Sequence, residues 1–433
     1  MGRFRTNTEL LDRAARPFNP KDAEDTSGLL DMCVKALQDS RHVTREKALA
    51  ALAATLEQLP PLDDSRCFNI FALCGVCLKD EGSSLKERCL AYRAVGLLAL
   101  TLRAASAGSS EVLAHSFQPL ARTIRREHDG DAPPVTLVIA AIECLAAVTF
   151  AGARGRDDVY RSLKALWDLI VSSSRPSKIN SGGSGAGARK KTTTPPQVLA
   201  AAVSTWAFLL TTIVSETDAL IKKADSAVWN AAVACLAGLL GHDDRGVRVA
   251  AGEALAMCVE LNLTQHAPRK DMDALAAKVS ELASELPGRG SNSKNTILLE
   301  QRDLFGQIAA FLDHGERPER SLPTSVDGCV ALRVCSWAKL VQLNFLTRFL
   351  GDGFRKHVQG NELFKEAFSY GANKGKVLSI SKKKQGNKTD KDYFKARRGG
   401  RCRPWDYTIL CDYPYTARYK PETLLRIGWQ ALH

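Results

Sequence analysis

Residues 45–56 read Arg45-Glu46-Lys47-Ala48-Leu49-Ala50-Ala51-Leu52-Ala53-Ala54-Thr55-Leu56. Residues 248–259 read Arg248-Val249-Ala250-Ala251-Gly252-Glu253-Ala254-Leu255-Ala256-Met257-Cys258-Val259. Arg45, Ala48, Leu52 and Leu56 stand at steps of three, four and four. Arg248, Ala251, Leu255 and Val259 repeat those steps, as do Arg88, Ala91, Val95 and Ala99. Such steps put the residues on one helical face. Each set follows a short polar opening that supplies N-cap residues: Asp39 to Thr44, Asp80 to Ser84, and Asp243 to Asp244. Arg45 and Arg88 are 43 positions apart, within the period of HEAT and armadillo repeats. A small alanine on each inner face lets neighbouring helices approach closely. The arginine is expected to cap or pair within the turn between helices.

The pattern extends in both directions. Val135 to Phe150 and Val198 to Ile213 are apolar helices that follow Pro133-Pro134 and Pro195-Pro196, and proline suits a helix start. Tyr160 to Ile170 reads as the second helix of a repeat, with Leu163, Leu166, Trp167 and Ile170 on one face; Trp229 to Leu240 is similar. The expected fold is all-α: an armadillo/HEAT-like α-solenoid of roughly five helical pairs with a small helical C-terminal domain and a basic tail. The domains are read as an N-terminal segment 1–24, repeats over 25–286, a helical C-terminal domain 296–371, a basic tail 372–403 and an extension 404–433. A glycine- and serine-rich excursion, 172–194, interrupts the repeats and reads as a flexible loop. It lacks the preceding strand and the spacing of a phosphate loop.

Alanine and leucine dominate the composition, which favours helices. No uncharged apolar run of 18 residues is present, so no membrane span is expected. The first residues, with Arg3, Phe4 and Arg5 before Glu9 and Asp12, lack the apolar core of a secretory signal. A cytoplasmic and nuclear location is therefore expected. The twelve cysteines, Cys89, Cys144, Cys235 and Cys258 among them, read as small buried hydrophobes of a reducing compartment. Cys67, Cys74, Cys77 and Cys89 lack the second close pair that a zinc site needs, so no metal is expected. No catalytic group, cofactor site or small-molecule substrate is read from the eight scattered histidines or from any hydrolase or kinase signature.

Charge is distributed unevenly. Lys374 to Arg403 holds twelve basic residues against Asp390 and Asp392, which accounts for +10 of the chain's formal +13. Such an arm attracts a polyanion. The residues assigned to RNA or ribosome contact are Lys382, Lys383, Lys384, Lys388, Lys391, Phe394, Lys395, Arg397, Arg398, Arg401 and Arg403. Aromatic rings there, and the arginines around Arg398, can stack on unpaired bases. The same run also reads as a nuclear localisation signal, and the two roles are compatible. Upstream, Trp337, Leu340, Val341, Phe345 and Phe349 form one core stripe, and Leu363, Phe364, Ala367 and Phe368 another. Gly351 and Gly353 break the two helices. Asn361 opens the second as its N-cap.

Several of these residues carry a resemblance. Leu350-Gly351-x-Gly353, His357-x-Gln359-x-Asn361-Glu362, then Phe368 and Gly371, with Trp337 upstream, resemble the C-terminal domain of interferon-related developmental regulators. Ile380-Ser381 and Phe394-Lys395-Ala396-Arg397 continue it. Arg248 to Ala256 is similar to the family's best-kept repeat helix, and Thr194 to Thr211 to the helix before it. The likeness covers roughly residues 30–403 and suggests a plant-like or divergent member. It implies an armadillo-like protein without catalysis. Family members are described as transcriptional co-regulators that bind chromatin-modifying complexes. They are also associated with inactive ribosomes, where a C-terminal helical element enters RNA-lined channels. The expected partners are thus the ribosome and its RNA through the tail, and proteins through the solenoid surface. His357 is read as a capping or core-edge histidine in preference to a partner contact. Two departures from the family stand out: this chain begins almost at the first repeat, where the family usually has a long serine-rich extension, so that either the segment is missing or the gene model is incomplete, and residues 404–433 match nothing in the family.

Overall fold

The computed structural model describes residues 25–80, 82–102, 107–125, 133–174, 194–213, 226–265, 267–285, 292–323 and 331–368. The helices are α1 (Thr26–Ala36), α2 (His42–Glu57), α3 (Asp64–Lys79), α4 (Leu85–Thr101), α5 (Ala107–Arg125), α6 (Val135–Gly152), α7 (Arg156–Ser174), α8 (Pro196–Leu210), α9 (Ser226–Leu239), α10 (Arg245–Glu260), α11 (Arg269–Ser284) and α12 (Asn292–His314). Then come strands β1 (Arg320–Pro323) and β2 (Ala331–Val334), helix α13 (Trp337–Leu350), a 3₁₀ turn (Gly351–Gly353), α14 (Phe354–Gly360) and α15 (Glu362–Ala367).

Two rows of helices build the body. Each even-numbered helix from α2 to α12 packs on the even-numbered helix before and after it, which makes an inner row. Helices α1, α3, α5, α7 and α9 stack likewise into an outer row. The chain is therefore an all-α solenoid, as its periodicity predicts. Helix α12 packs on α10 and α11 and extends the two rows past residue 286, to a sixth pair among the described residues. The 22-residue step into α13 contains a two-stranded antiparallel ribbon that the helical periodicity does not foretell, with Arg320 opposite Val334 and Pro323 opposite Ala331.

One assignment within the pairs is reversed. Helices α7 and α9, read from sequence as second helices, are the first of their pairs and lie in the outer row. The reason is the width of their apolar surface. Helix α7 buries Val159, Leu163, Leu166 and Ile170, with Ala165, Trp167 and Leu169 beside them, but turns Arg161, Lys164 and Asp168 outward. Inner helices are covered on almost every side. Ala91, Ala94 and Ala99 in α4, Ala141, Ala146 and Ala147 in α6, and Ala251, Ala254 and Ala256 in α10 are all fully buried. Helix α6 is long and apolar enough to cross a membrane by length and composition alone, but two-thirds of it is buried and it packs on α4, α5, α7 and α8. It is the centre of the core.

The repeat arginines stitch the turns. Arg45 Nη1 donates to the carbonyls of Asp39 and Ser40, both at 3.1 Å. Arg248 Nη1 donates to those of His242 and Asp243, at 3.0 and 2.9 Å. The same two offsets, six and five residues back, recur 203 positions apart. Arg45 also crosses to the next repeat, with Nε 2.5 Å from Glu87 Oε1, while Arg248 Nη2 reaches Gln301 Oε1 at 3.3 Å. Burial alone would push the Glu87 carboxyl up, but bonds from Arg45, Cys77 and His42 hold it below its ordinary value. In the third arginine, Arg88, Nε is buried without a partner, as is Nε of Arg248.

Cys67, Cys74 and Cys77 line the buried side of α3. Burial pushes the Cys77 thiol up to about 12. Among the described residues no three histidine, cysteine or carboxylate side chains converge on one point. Eight described cysteines are free and Cys335 is disulfide-bonded.

Ala251→Asp tests the inner face. Ala251 is fully buried, and an unpaired carboxylate there is expected to cost about 3–5 kcal/mol. Thermal melting followed by far-ultraviolet circular dichroism should show the loss; an unchanged melting temperature would mean the inner face is wrongly assigned.

Candidate interaction surface

The inner row of a solenoid is where a partner would be expected to lie. Here the chain itself occupies much of that face. Helix α13 lies against α8 and α10, and the 3₁₀ turn that follows it reaches α2. The order of contacts shows the path. Glu260, at the end of α10, accepts from the backbone nitrogens of Trp337 and Ala338 at 3.0 and 2.8 Å. This caps two of the orphan donors of a helix N-terminus, and Ser336 Oγ takes a third, from Lys339. Asn344 Nδ2 donates to Glu253 of α10 at 2.9 Å, and Gln342 Nε2 to Thr211 Oγ1 at the end of α8, also at 2.9 Å. Phe345 stacks on Phe208 of α8 with centroids 4.1 Å apart. Arg348 pairs with Glu143 of α6 at 3.5 Å. Phe349 then fills the space left by Gly96 of α4, where a Cβ would sit 2.7 Å from its ring. Helix α13 thus runs back along the array, from α10 toward α2.

The turn closes at backbone distance. A Cβ on Gly353 would stand 2.1 Å from the Glu57 carbonyl oxygen of α2. Gly353 has an ordinary φ of −69°, so its need for glycine comes from close approach. Gly351 is different: its φ of +54° ends α13 in a conformation that favours glycine. His357 is fully buried. Its Nδ1 faces Asn361 Nδ2 at 3.3 Å, and its Nε2 is buried beside the Leu56 and Glu57 backbone without a well-formed hydrogen bond. Asn361 works twice. Its Oδ1 accepts from Leu363 N as the N-cap of α15, and its Nδ2 donates to the Leu100 carbonyl of α4 at 2.6 Å. Helix α15 then turns back: Phe364 meets Phe150 of α6 edge-on, and Lys339 Nζ donates to the Ala367 carbonyl. Burial brings that lysine down to about 8. Loss of water also pushes the Glu143 and Glu253 carboxyls up, against the pull of nearby arginines and of Asn344.

The family-motif residues are therefore mostly structural in their geometry. Trp337 is fully buried at the first position of α13 beside Phe311. Gly353, His357, Asn361 and Phe368 are buried, while Gly351, Gln359 and Glu362 are exposed. Glu362 pairs with Lys365 at 2.9 Å. Glu260, Thr211 and Leu100 are not legible as partners in the sequence, because those pairs are 77 to 261 positions apart. The eleven residues assigned to RNA contact, Lys382 to Arg403, lie outside the described residues, as do the glycine- and serine-rich stretch 175–193 and the extension 404–433.

A two-row solenoid whose inner face is covered by its own C-terminal helices defines a class of helical-repeat protein. The family model of the interferon-related developmental regulators matches residues 5–313, which ends at α12. The chain belongs to that family. It is similar to mouse interferon-related developmental regulator 2, 28% identical over 347 residues, spanning 78% of this chain and 71% of that protein. It is also similar to mouse interferon-related developmental regulator 1, 29% identical over 141 residues, and to its human counterpart, 28% identical over the same length. Those shorter matches span 31% of this chain and 29% of each relative.

Gly353→Ala is expected to lower stability by about 1–3 kcal/mol through overpacking, and Asn361→Ala by about 1–3 kcal/mol through the unsatisfied Leu100 carbonyl. Urea denaturation would register both, with the exposed Lys356→Ala as a control near zero. A second expectation concerns pH. Burial holds the His357 imidazole down at about 4, against about 6.5 in an unfolded chain. The unfolded state takes up the proton more readily, so this contribution is complete above about pH 6.5 and lost as pH falls toward about 4, to the extent of about 3 kcal/mol. Over that window the stability of His357→Gln should fall less steeply than that of the parent; parallel pH profiles would refute the buried neutral form.

Proposed function

We propose that this protein is a non-catalytic regulator that binds ribosomes or RNA through its basic C-terminal tail and so represses or modulates translation. The observation that carries the reading is the concentration of charge. Lys374 to Arg403 holds +10 of a formal +13, so the rest of the chain is close to neutral and the tail is its main attraction for a polyanion. Membership of a family named for regulators supports the absence of catalysis. On this reading Lys382, Lys383, Lys384, Lys388, Lys391, Lys395, Arg397, Arg398, Arg401 and Arg403 track phosphates and Phe394 stacks on a base. The protein acts in the cytoplasm, with access to the nucleus.

The second reading is a transcriptional co-regulator that holds chromatin-modifying proteins on its solenoid surface. One observation weighs against its simplest form: α13 to α15 already lie across the inner face from α10 to α2. A protein partner would have to use the outer row, the loop edges or the rest of the inner face.

Replacing Lys382, Lys383, Lys384, Lys395, Arg397 and Arg398 together with alanine separates the two readings. The body should keep its melting temperature, since the six residues lie outside the repeats. Each lost phosphate contact removes about 0.7–0.9 from the logarithmic salt slope, so losing four should flatten it by roughly three. Sedimentation with ribosomal particles at low and moderate salt, together with RNA affinity across a salt series, measures this. Equal affinity and slope in parent and variant would rule out the tail as the binding element. Lost nuclear import with unchanged affinity would support the co-regulator.

A further inference from the structure

Helix α3 stands apart in the outer row. Helix α7 turns Arg161, Lys164 and Asp168 to water, and α9, itself uncharged, exposes only the small residues Ala227, Ala231, Ala234 and Gly238. From Cys67 to Leu78 helix α3 has no charged residue at all. Its outward stripe is Phe68, Ala72 and Val76, at steps of four, with Phe68 and Val76 37% and 61% exposed. These are two of the five large hydrophobic side chains exposed among the described residues. Charge stands only at the two ends of the helix, with Asp63, Asp64 and Arg66 at the start and Lys79, followed by Asp80 and Glu81, at the finish.

We infer that this face is a docking site for the chain's own N-terminal segment, residues 7–16. Four observations point to that occupant. The first is position. Residue 24 joins α1 beside the first turn of α3, where Arg66 donates to Ser27 Oγ at 3.1 Å and pairs with Asp31 at 3.1 Å. The second is pattern. Thr6-x-x-Glu9 is a capping box, and Leu10, Leu11, Ala14 and Ala15 follow at the spacing of one helical face before Pro17 ends the run. The third is length. Ten helical residues extend about 15 Å, and the step from Phe68 to Val76 about 12 Å. The six residues Asn19 to Glu24 reach at most about 20 Å, enough to fold the segment back antiparallel to α3. The fourth is charge at the near end: in that direction Arg16 comes toward Asp63 and Asp64, while Arg66 in the same turn is already paired with Asp31. The family match, moreover, begins at residue 5, ahead of α1. The inference is independent of the tail and of ribosome binding.

Two measurements on the full chain test it. A photo-crosslinking amino acid replaces Val76, and peptide mass spectrometry locates its product. Hydrogen exchange is compared among the parent, Val76→Asp and Leu11→Asp. The expected results are a cross-link from position 76 to residues 7–16 within a monomer, and exchange over 7–16 at least tenfold slower in the parent than in either variant. Exchange in α6 should be the same in all three, which shows that the body remains folded. Leu11→Asp should also speed exchange along α3, although it leaves α3 untouched. A cross-link at dimer mass would assign the face to a second copy and overturn the inference. No cross-link to residues 7–16, or exchange there as fast in the parent as in Leu11→Asp, would overturn it as well.

Discussion

Close approach of backbones is the constraint on which this structure depends. The inner helices meet through alanines, and the C-terminal block meets the inner helices through Gly96 and Gly353. Where a side chain is missing, an aromatic ring or a carbonyl takes its place: Phe349 over Gly96, Glu57 O under Gly353. Interiors are packed so densely that a single added methyl must displace something. The alanine-rich composition is thus a condition for a chain that folds back along its own axis.

Helix ends supply the polar half of the same arrangement. Every helix leaves four carbonyls unpaired at one end and four amides at the other. The C-terminal ends of α2, α4, α8 and α10 all lie under the returning block. His357 faces the carbonyls of α2, Asn361 binds that of α4, Gln342 reaches Thr211 after α8, and Glu260 of α10 caps α13. Buried polar groups are tolerated when they are paired. A segment of some thirty residues therefore ties together repeats that are up to 261 positions away in sequence. Contacts of such separation slow folding, because long loops must close before any of them forms. The array and its C-terminal block are expected to fold as a connected unit.

This architecture bears on how such a regulator meets its partners. An inner face filled in cis leaves the outer helices, the edges and the chain's ends for contact. Charge is concentrated at one of those ends, and an uncharged helical face lies at the other end of the array, on α3. A nearly neutral helical body thus carries a cationic tail, and on our inference its apolar α3 face is closed by the chain's own N-terminal segment.

Periodicity alone determined the class of fold. Steps of three and four with alanine facing inward, repeated at 43 residues and again near Arg248, allow little except stacked helix pairs. The turn arginines were legible too, because their bonds at Arg45 and Arg248 reach only five and six residues back. The glycines and Asn361 in the C-terminal motif signalled helix breaks and a cap for the same local reason. What the sequence could not show was any pairing between distant elements. That α7 and α9 stand in the outer row depends on which neighbours cover them, and a stripe of leucines looks the same on either helix of a pair. The ribbon β1–β2 is two short strands around a linker, too brief to leave a period. That His357 is buried against the end of α2, that Asn361 binds the end of α4, and that Glu260 caps α13, was decided only by the return of the C-terminal block along the array. Side-chain pattern encodes which face of a helix is buried; only the three-dimensional path of the chain decides what buries it.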